Sequence, residues 1–238
     1  MTMSPLQPTI TTIAFDADDT LWHNEYLFRM ARTEFQQLLT HYHSPSWVDE
    51  HLNKTEIKNL AHYGYGVKSF ALSMIETAVE LTEGRISGAD VQRILDLTQT
   101  MLRADVTVIE GVPDVLEALF PHYRLLVITK GDLLDQQAKL ARSGLSSYFA
   151  QVEVVSEKDP DTYAQILLRH GVEPTHFVMV GNSMKSDILP VLAIGAQAIH
   201  VPHELIWEHE VVAAPPKGTS GFSAVEQIGD VLTLLGSA

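Results

Sequence analysis

The chain has 238 residues, 45% of them hydrophobic, no cysteine, and a formal net charge of −14. That length fits one large domain or a core with a smaller companion, and the missing cysteine excludes disulfides, thiolate nucleophiles and Cys-based zinc sites. The acidity argues against a nucleic-acid scaffold, which needs clustered Lys and Arg, but not against small phosphorylated ligands, where one metal ion and a few local donors outweigh a screened net charge.

The opening MTMSPLQPTITT has no basic segment followed by an apolar core, and no run of about 18 apolar residues follows. A soluble cytoplasmic protein with no membrane partner is expected. Residues 10–15, ITTIAF, are strand-like, and the run then breaks into Asp16, Ala17, Asp18, Asp19 and Thr20. Three acids in four positions repel one another, so a fold that gathers them at a strand end calls for a compensating cation. The carboxyl ends of strands are also where open α/β sheets bind ligands. A surface turn rich in Asp is the alternative for these residues taken alone.

From His23 to about Ala104 helical periodicity takes over. Residues 24–39, 46–64, 67–84 and 87–102 each place apolar side chains three and four apart, with Ser87 a candidate N-cap. The breaks fall at His43-Ser44-Pro45, Gly64 to Gly66 and Gly84 to Gly88. Strand and helix patterns then alternate. Helices are expected over 110–123, 132–145, 160–171 and 185–195, and strands over 124–129, 151–156, 176–181 and 197–201. The last of these helices carries Pro190 near its start. Residues 213–221, AAPPKGTSG, read as a loop and residues 223–235 as a closing helix. Such alternation predicts a doubly wound, Rossmann-like parallel sheet with helices on both faces, an α/β fold. The division expected is a core of residues 1–22 and 105–238 and a helical insertion of residues 23–104.

Three more places carry chemistry-bearing residues near strand ends. RLLVITKGD ends its strand at Thr129, followed by Lys130 and Gly131; Lys158 stands in VVSEKDPDTY; and FVMVGNSMKSDI holds Gly181, Asn182 and Asp187. Singly, each has a plain reading: a Thr closing a strand, a solvated charged turn between Glu157 and Asp159, and turn or cap residues after a strand. In this order and on this pattern they are far more specific.

Together with Asp16-Ala17-Asp18-Asp19-Thr20 they resemble the four motifs of the haloacid dehalogenase (HAD) superfamily, in its phosphatase-type branch with a helical cap between the first and second motifs. The resemblance covers essentially the whole chain. It implies that Asp16 is the nucleophile, Asp18 the general acid/base, and Thr20 the residue that pins the loop. Thr129 would donate to the transferring phosphoryl group, with Lys130 and Gly131 flanking it. Lys158 would neutralise the nucleophile and the phosphate oxygens, with Lys130 in reserve. A Mg²⁺ ion would be held by Asp16, the backbone carbonyl of Asp18, Asn182 and Asp187. Four departures stand out: Asp19 where Gly is common, Lys130 before Gly131 where Asn is commoner, Asp159 between Lys158 and Pro160, and Asn182 where an acid is usual.

The implied activity is Mg²⁺-dependent hydrolysis of a small phosphate monoester through an aspartyl-phosphate, in a monomer or homodimer. A sugar-phosphate mutase or another HAD-type phosphotransferase shares that chemistry, whereas a dehalogenase lacks the carboxylate at Asp18. From other classes come a catalytically weak phosphoryl-binding protein, motivated by Asn182, and a receiver-type signalling domain, which has no need of the helical insertion. The histidine pairs His41/His43 and His203/His209 lack metal-ligand spacing. Arg29, Arg32, Lys68 and Arg103 fit the solvated faces of amphipathic helices. His23, Asn24 and Glu25, directly after the acidic loop, are better placed to reach a site.

Overall fold

The computed structural model describes residues 10–235; most of the N-terminal stretch read above for targeting signals lies outside the described residues. By contact the chain forms two compact units. One runs through the first strand to His23 and takes in Val106–Lys130 and the chain from Gln136 onward; the other takes in Asn24–Asp105 with Gly131–Asp135. In chain order the strands are β1 (Thr12–Phe15), β2 (Arg124–Lys130), β3 (Gln151–Val155), β4 (Phe177–Gly181), β5 (Gln197–His200) and β6 (Phe222–Ala224). The helices are α1 (Glu25–Leu38), α2 (Pro45–Tyr63), α3 (Val67–Leu81), α4 (Gly88–Arg103), α5 (Val112–Leu119), α6 (Leu133–Ser143), α7 (Pro160–His170), α8 (Leu189–Ala193) and α9 (Val231–Leu235).

The first unit is built on a parallel sheet of order β3-β2-β1-β4-β5-β6, the doubly wound arrangement. β1 lies between β2 and β4, with Phe15 opposite Val127 and Val180. Every residue of β1 and β4 is buried, which is why these strands read as unbroken apolar runs and not as alternation. Ile13, Phe15, Val127 and Val180 face a layer containing Val112 and Leu116 of α5 and Val231 and Leu234 of α9. Ala14, Leu126, Ile128 and Met179 face Tyr163, Ile166 and Leu167 of α7. The edges are guarded differently: β6 is short, and on β3 Glu153 is tied to Arg169 (2.7 Å) and His170 (2.7 Å), charges that discourage further strand pairing.

Two expectations need correction. Residues 223–235 are not one helix: β6 continues to Ala224, a 3₁₀ turn covers Ile228–Asp230, and only Val231–Leu235 are α-helical. Residues 185–195 are likewise divided into a π-helical turn, Met184–Ile188, and the short α8. Pro190, in the first turn of α8, has no N–H for a helix running on from before it.

The second unit packs α1 to α4 around Ala31, Phe35, Leu52, Phe70, Met74 and Ile94. Ser87 caps α4 by accepting from the Asp90 N–H at 3.1 Å. Among the described residues no helix is long and apolar enough to cross a membrane. α2 makes polar contacts to both α3 and α1. Asn59 donates to Ser73 (3.1 Å) and Glu76 (2.8 Å), and Glu56 is buried against the Arg32 guanidinium, which also reaches Asp49 at 3.1 Å.

Burial pushes the Glu56 carboxyl up from 4.5 to about 7, with Arg32 offsetting part of the effect. The folded chain therefore holds a proton that the unfolded chain has released, and stability falls as pH rises between about 4.5 and 7, by up to about 1.4 kcal/mol per pH unit. Glu56→Gln should flatten that part of the curve in denaturant unfolding at pH 5 and pH 8. An identical slope in both proteins would show instead that Arg32 keeps Glu56 ionised when folded.

Candidate active site

β1 ends by delivering Asp16, whose N–H donates to the Val180 carbonyl at 2.9 Å. The chain then coils tightly, with the Leu21 N–H on the Ala17 carbonyl (2.8 Å) and the Asp19 N–H on the Trp22 carbonyl (2.7 Å). Asp19 holds φ +61°, a region that few residues other than Gly enter and that Asp tolerates. The unusual residue before Thr20 thus meets the same backbone demand that Gly would. The coil buries Thr20 and sets its hydroxyl 3.2 Å from Asp16 Oδ2 and 3.3 Å from Asn182 Oδ1.

Lys158, buried between β3 and α7, places Nζ 2.5 Å from Asp16 Oδ1 and 2.7 Å from Asp187 Oδ1. Its neighbour Asp159 is the N-cap of α7, accepting from the Thr162 N–H at 2.7 Å, and Pro160 opens the helix. The extra residue between Lys158 and Pro160 is therefore a cap. Asp187 is swung back over the end of β4, its Oδ2 accepting from the Ser183 N–H at 2.9 Å. Only Gly181 permits this, since a Cβ there would stand 2.3 Å from Asp187 Oδ2.

Two buried carboxylates thus share one ammonium. Burial pushes Asp16 up to about 7; Lys158 pulls it back and Asp187 pushes it further. Burial works against the Lys158 charge, but Asp16 and Asp187 outweigh it and keep the amine protonated. Negative charge remains in excess. Among the described residues no three His, Asp or Glu side chains form a ready cation cage. The oxygens at hand are those of Asp16, Asp187 and the Asn182 carboxamide, a hard donor set that fits Mg²⁺.

Thr129 is buried at the end of β2, its hydroxyl 3.3 Å from the Lys130 carbonyl. Lys130 Nζ lies 2.8 Å from both Ser186 Oγ and Glu210 Oε1. Burial would raise the Glu210 carboxyl, but Lys130 and the hydroxyls of Ser183 and Ser186 outweigh it and bring it to about 2. Gly131 belongs to the second unit. His23 meets His203, ring nitrogens 3.1 Å apart, and His203 Nε2 is 3.6 Å from Asp19. Asn24 and Glu25 belong to the second unit.

Sequence reasoning missed the surroundings of Asp18. Its carboxylate accepts from Trp22 Nε1 (2.7 Å) and Gln136 Nε2 (2.8 Å), and Lys139 Nζ lies 2.7 and 2.9 Å from its two oxygens. The available signal was α6 itself, where polar residues at 135, 136 and 139 recur at helical spacing right after the second motif.

A family model described as haloacid dehalogenase-like hydrolase matches residues 10–195. The chain belongs to this family of enzymes. A solved haloacid dehalogenase-like hydrolase from Xanthomonas campestris is 40% identical, with a TM-score of 0.81 over 95% of this chain and 96% of that one. N-acylneuraminate-9-phosphatase of Rattus norvegicus is 28% identical over 203 residues, 79% of this chain and 81% of that protein. Glyceraldehyde 3-phosphate phosphatase of Methanothermobacter thermautotrophicus is 40% identical over 88 residues, 35% of this chain and 39% of that protein.

Because Asp187 occupies the space above Gly181, Gly181→Ala must displace a buried carboxylate from Lys158 and from the Ser183 N–H. A stability loss of roughly 2–4 kcal/mol is expected, in line with breaking a buried ion pair, measurable by denaturant unfolding; a loss below about 0.5 kcal/mol, the level of an ordinary surface change, would refute the close approach. Asp19→Ala should cost about 1 kcal/mol through its backbone angle alone, with Asp19→Gly milder; the reverse ranking would count against that account.

Proposed function

We propose that the protein is a Mg²⁺-dependent phosphatase acting on a small phosphate monoester through an aspartyl-phosphate. The core would span residues 1–22 and 105–238, and residues 23–104 would form a helical cap that selects substrate. The observation that carries this reading is the Lys158 ammonium bound to both Asp16 and Asp187, with Thr20 linking Asp16 to Asn182. Side chains distant in sequence meet around one nucleophile-grade carboxylate with surplus negative charge. The phosphatase names of the two relatives support the same chemistry.

In this reading Asp16 Oδ attacks phosphorus while the ester P–O bond breaks, and Asp18 gives its proton to the departing alkoxide. In the second half Asp18 takes a proton from water as the water oxygen bonds phosphorus and the Asp16–phosphorus bond breaks. Lys158 and the Thr129 hydroxyl stabilise the charge spread over the phosphoryl oxygens. Asp16, Asn182, Asp187 and the Asp18 carbonyl would hold Mg²⁺, which when bound would supply charge neutralisation and phosphate orientation. An alkoxide needs a proton to leave and a halide does not, so the carboxylate of Asp18 favours phosphate esters over halides as substrates.

The test is steady-state hydrolysis of p-nitrophenyl phosphate with and without Mg²⁺, followed by a panel of phosphorylated metabolites headed by N-acylneuraminate 9-phosphate and glyceraldehyde 3-phosphate. Turnover that needs Mg²⁺ is expected. Metal binding without turnover would move the reading to a phosphoryl-binding protein. Asp16→Asn should abolish turnover with the fold intact by circular dichroism, and near-wild-type activity would remove Asp16 as nucleophile. Asn182→Asp should tighten Mg²⁺ binding by isothermal titration, an unchanged titration removing Asn182 from the ligand set.

A further inference from the structure

The geometry points to Lys139 and Gln136 of α6 as positioning residues that aim the Asp18 carboxylate at the leaving group, an inference that rests on the phosphatase reading above. A carboxylate offers about four acceptor directions on its two oxygens. Here Trp22 and Lys139 occupy Oδ1 while Gln136 and Lys139 occupy Oδ2. The donors sit on rigid supports. Trp22 is buried within the coil that follows β1, and Gln136 and Lys139 are buried one helical turn apart on α6. Gln136 cannot turn its amide around, because the same Nε2 also donates to the Lys130 carbonyl at 3.0 Å and the flip would set oxygen against two acceptors.

An acid/base carboxylate at the rim of a site is useful only if its oxygen points at the reacting atom. Asp18 has a side chain 23% exposed, so without these donors it would sample several orientations. Lys139 alone touches both oxygens. It can therefore keep one of them while the other turns to the ester oxygen, so that the carboxylate pivots about a fixed point. A further observation marks this spot as a place for a ligand. Gln136 Oε1 is buried and accepts no hydrogen bond from any of the described residues, which is uncommon in folded proteins. The hydroxyl of an alcohol newly protonated by Asp18 is a donor of the kind it lacks.

This role differs from that of Lys158. Lys158 touches Asp16 and would stabilise charge on the transferring group whatever the leaving group, whereas Lys139 acts only through Asp18. The two therefore separate by leaving-group dependence. A nitrophenolate departs readily without a proton; a phenolate of the same shape departs poorly. Lys139→Met should lower kcat/KM, which reports the steps up to departure of the leaving group, on phenyl phosphate by roughly 30- to 100-fold, within the range of lost general-acid catalysis, and on p-nitrophenyl phosphate by less than about 5-fold; kcat falls on both where hydrolysis of the aspartyl-phosphate limits, since Asp18 is also the base there. Lys139→Arg, which keeps the charge and the reach, should recover most of the phenyl phosphate activity. Gln136→Leu should show the same split more weakly, and it serves if Lys139→Met fails to fold.

Adding Lys139→Met to Asp18→Asn should cost almost nothing further, since both changes remove one function. Equal losses in kcat/KM on the two aryl phosphates, additive losses in the double variant, or no loss at all would overturn the assignment. If the unaltered enzyme hydrolyses neither ester, it is the phosphatase reading that falls, and the two failures are thereby told apart.

Discussion

The ammonium of Lys158 between Asp16 and Asp187 is the contact on which the rest of the core's ligand-facing end depends. Each of its two ion pairs is worth several kcal/mol at an effective dielectric of about 20, and removing either acid from water costs an amount of the same order. One lysine cannot neutralise two carboxylates, and burial leaves Asp16 near neutrality in its proton affinity, at about 7. The folded chain tolerates this cluster because Lys158 holds one oxygen of each acid, the Thr20 hydroxyl the second of Asp16 and the Ser183 N–H the second of Asp187. The same arrangement makes the cluster an attractor for positive charge, as the proposed metal requires.

Topology supplies the convergence. With β1 between β2 and β4, the ends of three adjacent parallel strands deliver Asp16, Thr129 and Gly181, and Lys158 enters from the turn after β3. Three lysines are then distributed among different acids: Lys158 on Asp16 and Asp187, Lys139 on Asp18, and Lys130 on Glu210. The last pairing does other work. Glu210 accepts from Ser183 and Ser186 at 2.6 and 2.5 Å, so it ties the 3₁₀ turn at Glu208–Glu210 to the loop that presents Asp187.

What the sequence made legible was local. Unbroken apolar runs gave β1, β2 and β4, periodicity gave the four helices of the second unit, and the spacing of acids, Thr129 and Lys158 marked the ends of the right strands. The rest depended on distance or on exceptions to periodicity. β6 has three residues and gains its pairing from Ala198 to His200, so nothing nearby announces it. In α6 the usual pattern is inverted: Leu133 and Leu134 are 58% and 70% exposed while Gln136 and Lys139 are buried. An apolar count therefore points to the wrong face of α6, away from the one that meets Asp18. The Lys130–Glu210 pair joins residues 80 positions apart, and no spacing rule reaches that far.

The same charge arithmetic bears on Asn182. An acid at this position would bring a third carboxylate to a buried group already served by one ammonium, and repulsion would raise all three acids further. The carboxamide keeps an oxygen available and lets the Thr20 hydroxyl approach it at 3.3 Å, while His200 donates to the Asn182 carbonyl at 3.0 Å and fixes the backbone beneath it. Asn182 thus lowers the electrostatic cost of the fold without a cation, and on the proposed reading it does so by surrendering part of the charge that would hold one. On that reading, metal affinity and stability of the metal-free chain are set against each other by a single side chain.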